Sequence, residues 1–135
     1  MYIRGYVHEI LKGFREAGYE VQIFRLNSAT MEVPQSRNRE FFIANNRQYP
    51  KLRLDFSYPV IVSEDEVCPC TLSSGCKIRL YDRKYLSDED YMNVQTFPQD
   101  YDFCGKNVQY VCGMSVPPVM MAQIATKIWE QRLRA

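Results

Sequence analysis

Two arginines flank a single residue in Val33-Pro34-Gln35-Ser36-Arg37-Asn38-Arg39, and an apolar run, Phe41-Phe42-Ile43-Ala44, follows. That run reads as a buried strand. Residues two apart on a strand point to the same side, so Arg37 and Arg39 can serve one target. Two guanidinium forks on a rigid strand suit a planar ligand rich in oxygen acceptors, such as a nucleobase carbonyl, a phosphate or a carboxylate. The same residues would equally make a solvated strand end with two salt-bridged arginines.

The surrounding elements are those of a small α/β (α+β) chain. Residues from about Gly5 to Ala17 form an amphipathic helix with Val7, Ile10, Leu11 and Phe14 at helical spacing, and Gly18 stops it. Tyr19 to Leu26 alternates as a strand, 27–32 is a loop, and the arginine strand follows, so the two strands are expected as antiparallel neighbours. From Asn45 to about Lys84 the periodicity weakens, with short strands expected at Tyr58–Val62 and Lys77–Tyr81. Ser87 caps a helix that Phe97-Pro98 ends, with Asp90 completing a near capping box. Val108 to Cys112 reads as a short strand and Gly113 to Val116 as a tight loop. Pro117-Pro118 then opens a last helix with an apolar stripe of Val119, Met121, Ile124, Ala125, Ile128 and Trp129.

Composition narrows the function classes. The chain has 135 residues, 46% of them hydrophobic, enough for one domain or a small domain with pieces of another. A net charge of +1 gives no global basic field, so any nucleic-acid contact must be local, at Arg37–Arg53 or Lys77–Lys84. No apolar run could span a membrane and no secretory signal is evident, so the five cysteines read as reduced thiols of a cytoplasmic protein. Cys68-Pro69-Cys70 with Cys76 lacks the paired C-x-x-C spacing and a nearby histidine, so no metal is expected. His8, the only histidine, reads as a surface or packing residue.

Three stretches carry a resemblance. The arginine stretch resembles the eighth conserved motif of DNA (cytosine-5) methyltransferases. Gln95-Thr96-Phe97-Pro98-Gln99-Asp100-Tyr101 is similar to the ninth, and Gly113-Met114-Ser115-Val116-Pro117-Pro118 to the tenth. They stand in the family's order. The resemblance implies the C-terminal part of a Rossmann-like methyltransferase domain, with a shortened recognition region and a returning C-terminal helix. It implies 1–44 as the end of the catalytic domain, 45–84 as the recognition-like region and 85–135 as the supporting and returning helices. It also implies S-adenosylmethionine as cofactor and DNA as partner, in the setting of restriction-modification or a prophage.

The resemblance further implies roles. Arg39 would hold the carbonyl of a flipped cytosine, with Arg37 and Gln35 keeping that geometry. Ser115 and Val116 would border the cofactor. Thr71, Ser73 and Arg79 would meet DNA. The family has glycine where Thr96 stands, arginine where Asn93 stands and asparagine where Met114 stands. Its Pro-Cys nucleophile precedes the arginine motif, whereas Pro69-Cys70 follows it. Its glycine-rich cofactor loop and Glu-Asn-Val element have no counterpart here. The expectation is therefore a portion that cannot methylate DNA alone and that associates with an N-terminal methyltransferase half or with itself. The competing expectation is a non-catalytic α+β module that binds nucleic acid or an acidic partner through its basic strand.

Overall fold

The structure, a computed structural model, describes residues 3–56, 68 and 85–133. The strands expected at 58–62 and 77–81, the cysteines at 70 and 76, and Thr71, Ser73 and Arg79 lie outside the described residues. The elements are α1 (Ile3–Glu16), β1 (Tyr19–Asn27), a 3-10 turn (Ser28–Thr30), β2 (Asn38–Asn46), α2 (Asp88–Val94), α3 (Val108–Met114) and α4 (Pro118–Arg132).

Helix α1 ends at Gly18, whose φ of +88° is the left-handed conformation in which a side chain would be strained. The chain reverses there into β1, which pairs antiparallel with β2 from Tyr19 opposite Asn46 to Asn27 opposite Asn38. The loop expected at 27–32 contains the 3-10 turn, nucleated by Asn27, whose side chain accepts the Ala29 N–H at 2.9 Å.

Two apolar clusters hold the chain. In the first, Met31, Val33, Met120 and Ile124 are buried, with Leu26, Phe41, Ile43, Leu54, Val116 and Ile128 packed around them. It lies where α4 meets the turn and the inner face of the sheet. In the second, Tyr91, Met92, Phe97 and Cys112 are buried among Leu86, Phe103, Val108 and Val111, joining α2 to α3. Ser87 caps α2 through a full capping box: its hydroxyl accepts the Asp90 N–H at 3.2 Å and its own N–H reaches Asp90 Oδ2 at 2.8 Å.

Two expectations are corrected. Val108–Met114 is a helix, so the strand at Val108–Cys112 is absent, and Gly113 and Met114 belong to α3 rather than to a loop. Asn107 decides this: its side chain accepts the Tyr110 N–H at 2.7 Å. Helical spacing then turns Val108, Val111 and Cys112 toward Phe97 and Met92. On α4 the stripe is rotated. Met120 and Ile124 are buried, whereas Met121 and Trp129 are exposed at 42% and 47%, and Ala125 is exposed too.

After β2 the chain is clamped from both sides. The Gln22 amide on β1 donates to Leu52 O at 3.0 Å and accepts the Leu52 N–H at 2.7 Å. The Gln131 amide on α4 does the same for Arg53, at 2.9 Å in each direction. Each glutamine stands in for a strand neighbour, so the segment entering 57–84 leaves from a fixed point.

Candidate functional site

From Met31 to Arg37 the chain alternates strictly: Met31, Val33, Gln35 and Arg37 are buried and the residues between them are exposed. The alternation begins in a turn at Met31-Glu32, where Glu32 has φ +57°, and from Gln35 the chain runs on into β2, where residues two apart share a face. The hairpin ladder continues past its formal end, with Ser28 N–H donating to Arg37 O at 3.0 Å, and Ser28 Oγ donates to Gln35 O at 2.5 Å. Pro34 and Ser36 pair with Cys68 through backbone bonds of 3.2 and 2.9 Å, forming a parallel bridge that brings half-buried Cys68 beside Gln35.

Gln35, Arg37 and Arg39 therefore lie on one side of the chain. They do not share a single exposed target. Gln35 is 0% exposed and Arg37 2%, and Arg37 Nη2 donates to Gly113 O at 2.5 Å. That carbonyl belongs to the last turn of α3, whose negative dipole end favours a cation. Arg39 is half-buried at the margin of the first cluster, paired across the sheet with Leu26. Among the described residues its guanidinium meets only the Asn38 carbonyl, at 2.9 Å. A partly desolvated fork with donors to spare is suited to hold an acceptor oxygen. On the opposite face Arg25 is occupied by Glu40 at 2.5 Å.

Ser115 and Val116 follow directly on the Arg37–Gly113 contact. Ser115 Oγ donates to Cys112 O at 3.0 Å, and Val116 packs into the first cluster. Ser115 retains hydroxyl lone pairs as acceptors. Met114 is 62% exposed, so this turn offers a thioether rather than an amide.

Sequence reasoning missed two residues of this junction. Gln95, 0% exposed, donates through its amide to Cys112 O. Thr96 has φ +61°, the left-handed region where glycine is easiest, and its Oγ1 accepts the Val119 N–H at 3.1 Å. Pro117, at the cap position of α4, makes no side-chain bond there, so Thr96 supplies the cap from outside the helix. The hydroxyl thus compensates for the strain of a β-branched residue at that angle. Thr96→Gly is expected to be near neutral, because relief of about 1 kcal/mol of strain offsets the loss of a bond worth about 1 kcal/mol. Thr96→Ala keeps the strain and loses the bond, so urea unfolding should place it below both wild type and the glycine variant. An alanine variant as stable as wild type would remove this role.

The cysteine beside this junction, Cys112, is fully buried. Burial, with a smaller contribution from Asp88, pushes the Cys112 thiol up from 9.0 to about 11. The folded state holds this proton more tightly than the unfolded state. Its contribution to stability is therefore complete below pH 9.0 and is lost as pH rises through about 11. Cys104 is exposed. A thiol reagent at pH 8 should modify Cys104 at once and Cys112 only on unfolding, read by mass spectrometry of digested chain.

Residues 3–68 match the family model for C-5 cytosine-specific DNA methylase. The chain is also 29% identical over 133 residues to the Type II methyltransferase M.FnuDI of Fusobacterium nucleatum, an alignment covering 93% of this chain and 33% of that protein. The chain thus spans about a third of the length of the curated relative it matches.

Proposed function

We propose that the chain is a C-terminal portion of a DNA cytosine-5 methyltransferase, with Arg39 holding the target base. The observation that carries this reading is the placement of Gln35, Arg37 and Arg39 on one side of a core-anchored strand, with only Arg39 near the surface. The family match over residues 3–68 and the similarity to M.FnuDI support it.

Cytosine in a duplex is inaccessible to chemistry at its ring and must be flipped out and held by its edge. Attack at carbon 6 by a thiolate places charge on the ring, and a fixed cation at the ring carbonyl lowers the cost. Arg39 supplies that cation. Its strand is fixed by Arg37 and Gln35 in the interior, so little reorganisation accompanies the reaction. S-adenosylmethionine supplies the methyl group, and from this chain Ser115 and Val116 would border it. The nucleophile and most of the cofactor site come from the rest of such a fold, on the same polypeptide or on another.

The surface supports a partner of that kind. Val21, Ile23, Phe42 and Ala44 lie on the outer face of the sheet, while Leu26, Phe41 and Ile43 pack into the core on the inner face. Strands apolar on both faces are built to be covered on both. Here Tyr19 and Ile23 are 42% and 46% exposed, and Tyr6, Ile10 and Phe14 on α1 are exposed as well. Burying this face is the expected driving force for association with the remaining two-thirds of a methyltransferase fold.

The deciding experiment measures labelled methyl transfer from S-adenosylmethionine to DNA, by the chain alone and mixed with the preceding region of a related methyltransferase. Activity only in the mixture supports the proposal. Activity by the chain alone would place the nucleophile among its own cysteines, beginning with Cys70, which follows Pro69. No activity in either, together with DNA binding that is salt-dependent and indifferent to a mismatched target base, would favour the non-catalytic binding module.

A further inference from the structure

Three separated segments meet at the C-terminal end of α3. The carbonyls of a helix's last turn have no partner within the helix and are ordinarily answered by water or by a glycine turn. Here Gly113 O accepts from Arg37, which comes 76 residues earlier, and Cys112 O accepts from Gln95 and from Ser115 Oγ. Arg37 and Gln95 are 2% and 0% exposed. Gln95 Oε1 has no donor among the described residues. A buried arginine and a half-satisfied buried amide are poor choices for stability alone, because each carries a desolvation cost that an apolar side chain would avoid. Both side chains are long enough to tie one element to another.

We infer that Gln95 and Arg37 are positioning residues that latch the Ser115–Val116 turn to the strand carrying Arg39. Their shared anchor is the last turn of α3. Arg37 ties the start of β2 to it, Gln95 ties the end of α2 to it, and Ser115 follows it directly. Thr96, next to Gln95, bonds the first turn of α4, so the turn is held at its far end too. The two ends of the reaction, base and methyl donor, then sit on pieces that move as one. This consequence rests on the methyltransferase reading above; the latch itself does not. Methyl transfer tolerates little misplacement, and an error of about 1 Å can cost roughly 100-fold in rate.

The test uses the full chain with Arg37→Lys and Gln95→Met, each close in size to the residue it replaces. Hydrogen exchange is followed at Ser115 and Val116 and, as an internal reference, at the paired amides of β1 and β2. The expected result is exchange about 10-fold faster at Ser115 and Val116 with the strand amides unchanged, the mark of local opening. If all these amides speed up together, the residues only stabilise the fold and the inference is overturned. Unchanged exchange at the turn overturns it as well. In the reconstituted mixture, Gln95→Met is expected to raise the KM for S-adenosylmethionine about 10-fold while DNA affinity stays at the wild-type value. A loss of DNA affinity with that KM unchanged would contradict the latch. If the wild-type mixture transfers no methyl group, the functional reading fails, and the exchange result still decides the latch.

Discussion

Arg39→Ala is expected to lower methyl transfer in the reconstituted mixture by about 100- to 1,000-fold, the usual consequence of removing one preorganised donor from a developing negative charge. The fold should survive the change. Arg39 is half-buried at the edge of its cluster and its only described bond is to a neighbouring carbonyl. Urea unfolding of the variant should match wild type to within about 0.5 kcal/mol, as for a surface substitution away from special features. The loss should fall in kcat more than in the KM for DNA, because the charge that Arg39 meets develops only during attack. Arg39→Lys should recover part of the rate and not all of it, since an ammonium supplies charge without the planar fork. A variant with near wild-type turnover would show that the base is held elsewhere. The surface Arg25, bound to Glu40 on the opposite face, is the control, and Arg25→Ala should leave turnover unchanged.

The strand that carries Arg39 was legible because two local signals agree. A proline-glutamine corner starts it, and an uninterrupted apolar run continues it. The period of two then puts Arg37 and Arg39 on one side, as found. How deep each would lie was not legible. The division of labour between Arg37 and Arg39 depends on Gly113, 76 residues away, and no local pattern encodes that pairing. Gln95 and Thr96 were hidden for the same reason. A glutamine at the end of a short helix carries no local mark of burial. Thr96 held a usable signal, because it stands where the resembling family has glycine. A left-handed backbone at φ +61° explains such a preference, and the Val119 N–H explains how threonine satisfies the position. The strand expected at Val108–Cys112 failed on a different ground. Val-Gln-Tyr-Val-Cys has the β-branched and aromatic content of a strand, but Asn107 caps it as a helix and tertiary packing against Phe97 completes it.

The last helix yields the largest expected stability effect, and it separates two phases of one amphipathic pattern. Met120→Ala is expected to cost about 2–5 kcal/mol, the sum of lost transfer energy and a cavity that its neighbours only partly close. Met120 is fully buried, between Met31, Val33 and Ile124, where α4, the turn and the sheet meet. Met121→Ala, one residue on, should change stability by no more than about 0.5 kcal/mol, since that side chain is 42% exposed. The stripe read from the sequence takes in Met121, Ala125 and Trp129, but Met120, Ile124 and Ile128 share the same spacing of four, so periodicity alone does not choose between the two phases. The helix instead turns Met120, Ile124 and Ile128 inward, since its first turn is fixed from outside by Thr96 and its last by Gln131 on Arg53. Those anchors set the rotation about the axis. The stripe through Met121 is then left on the outside, with Met121, Trp129 and Leu133 exposed. Urea unfolding of the two variants decides between the phases. If Met121→Ala proved the costlier, the rotation would be wrong. If both proved costly, the outer position of Met121 would be wrong.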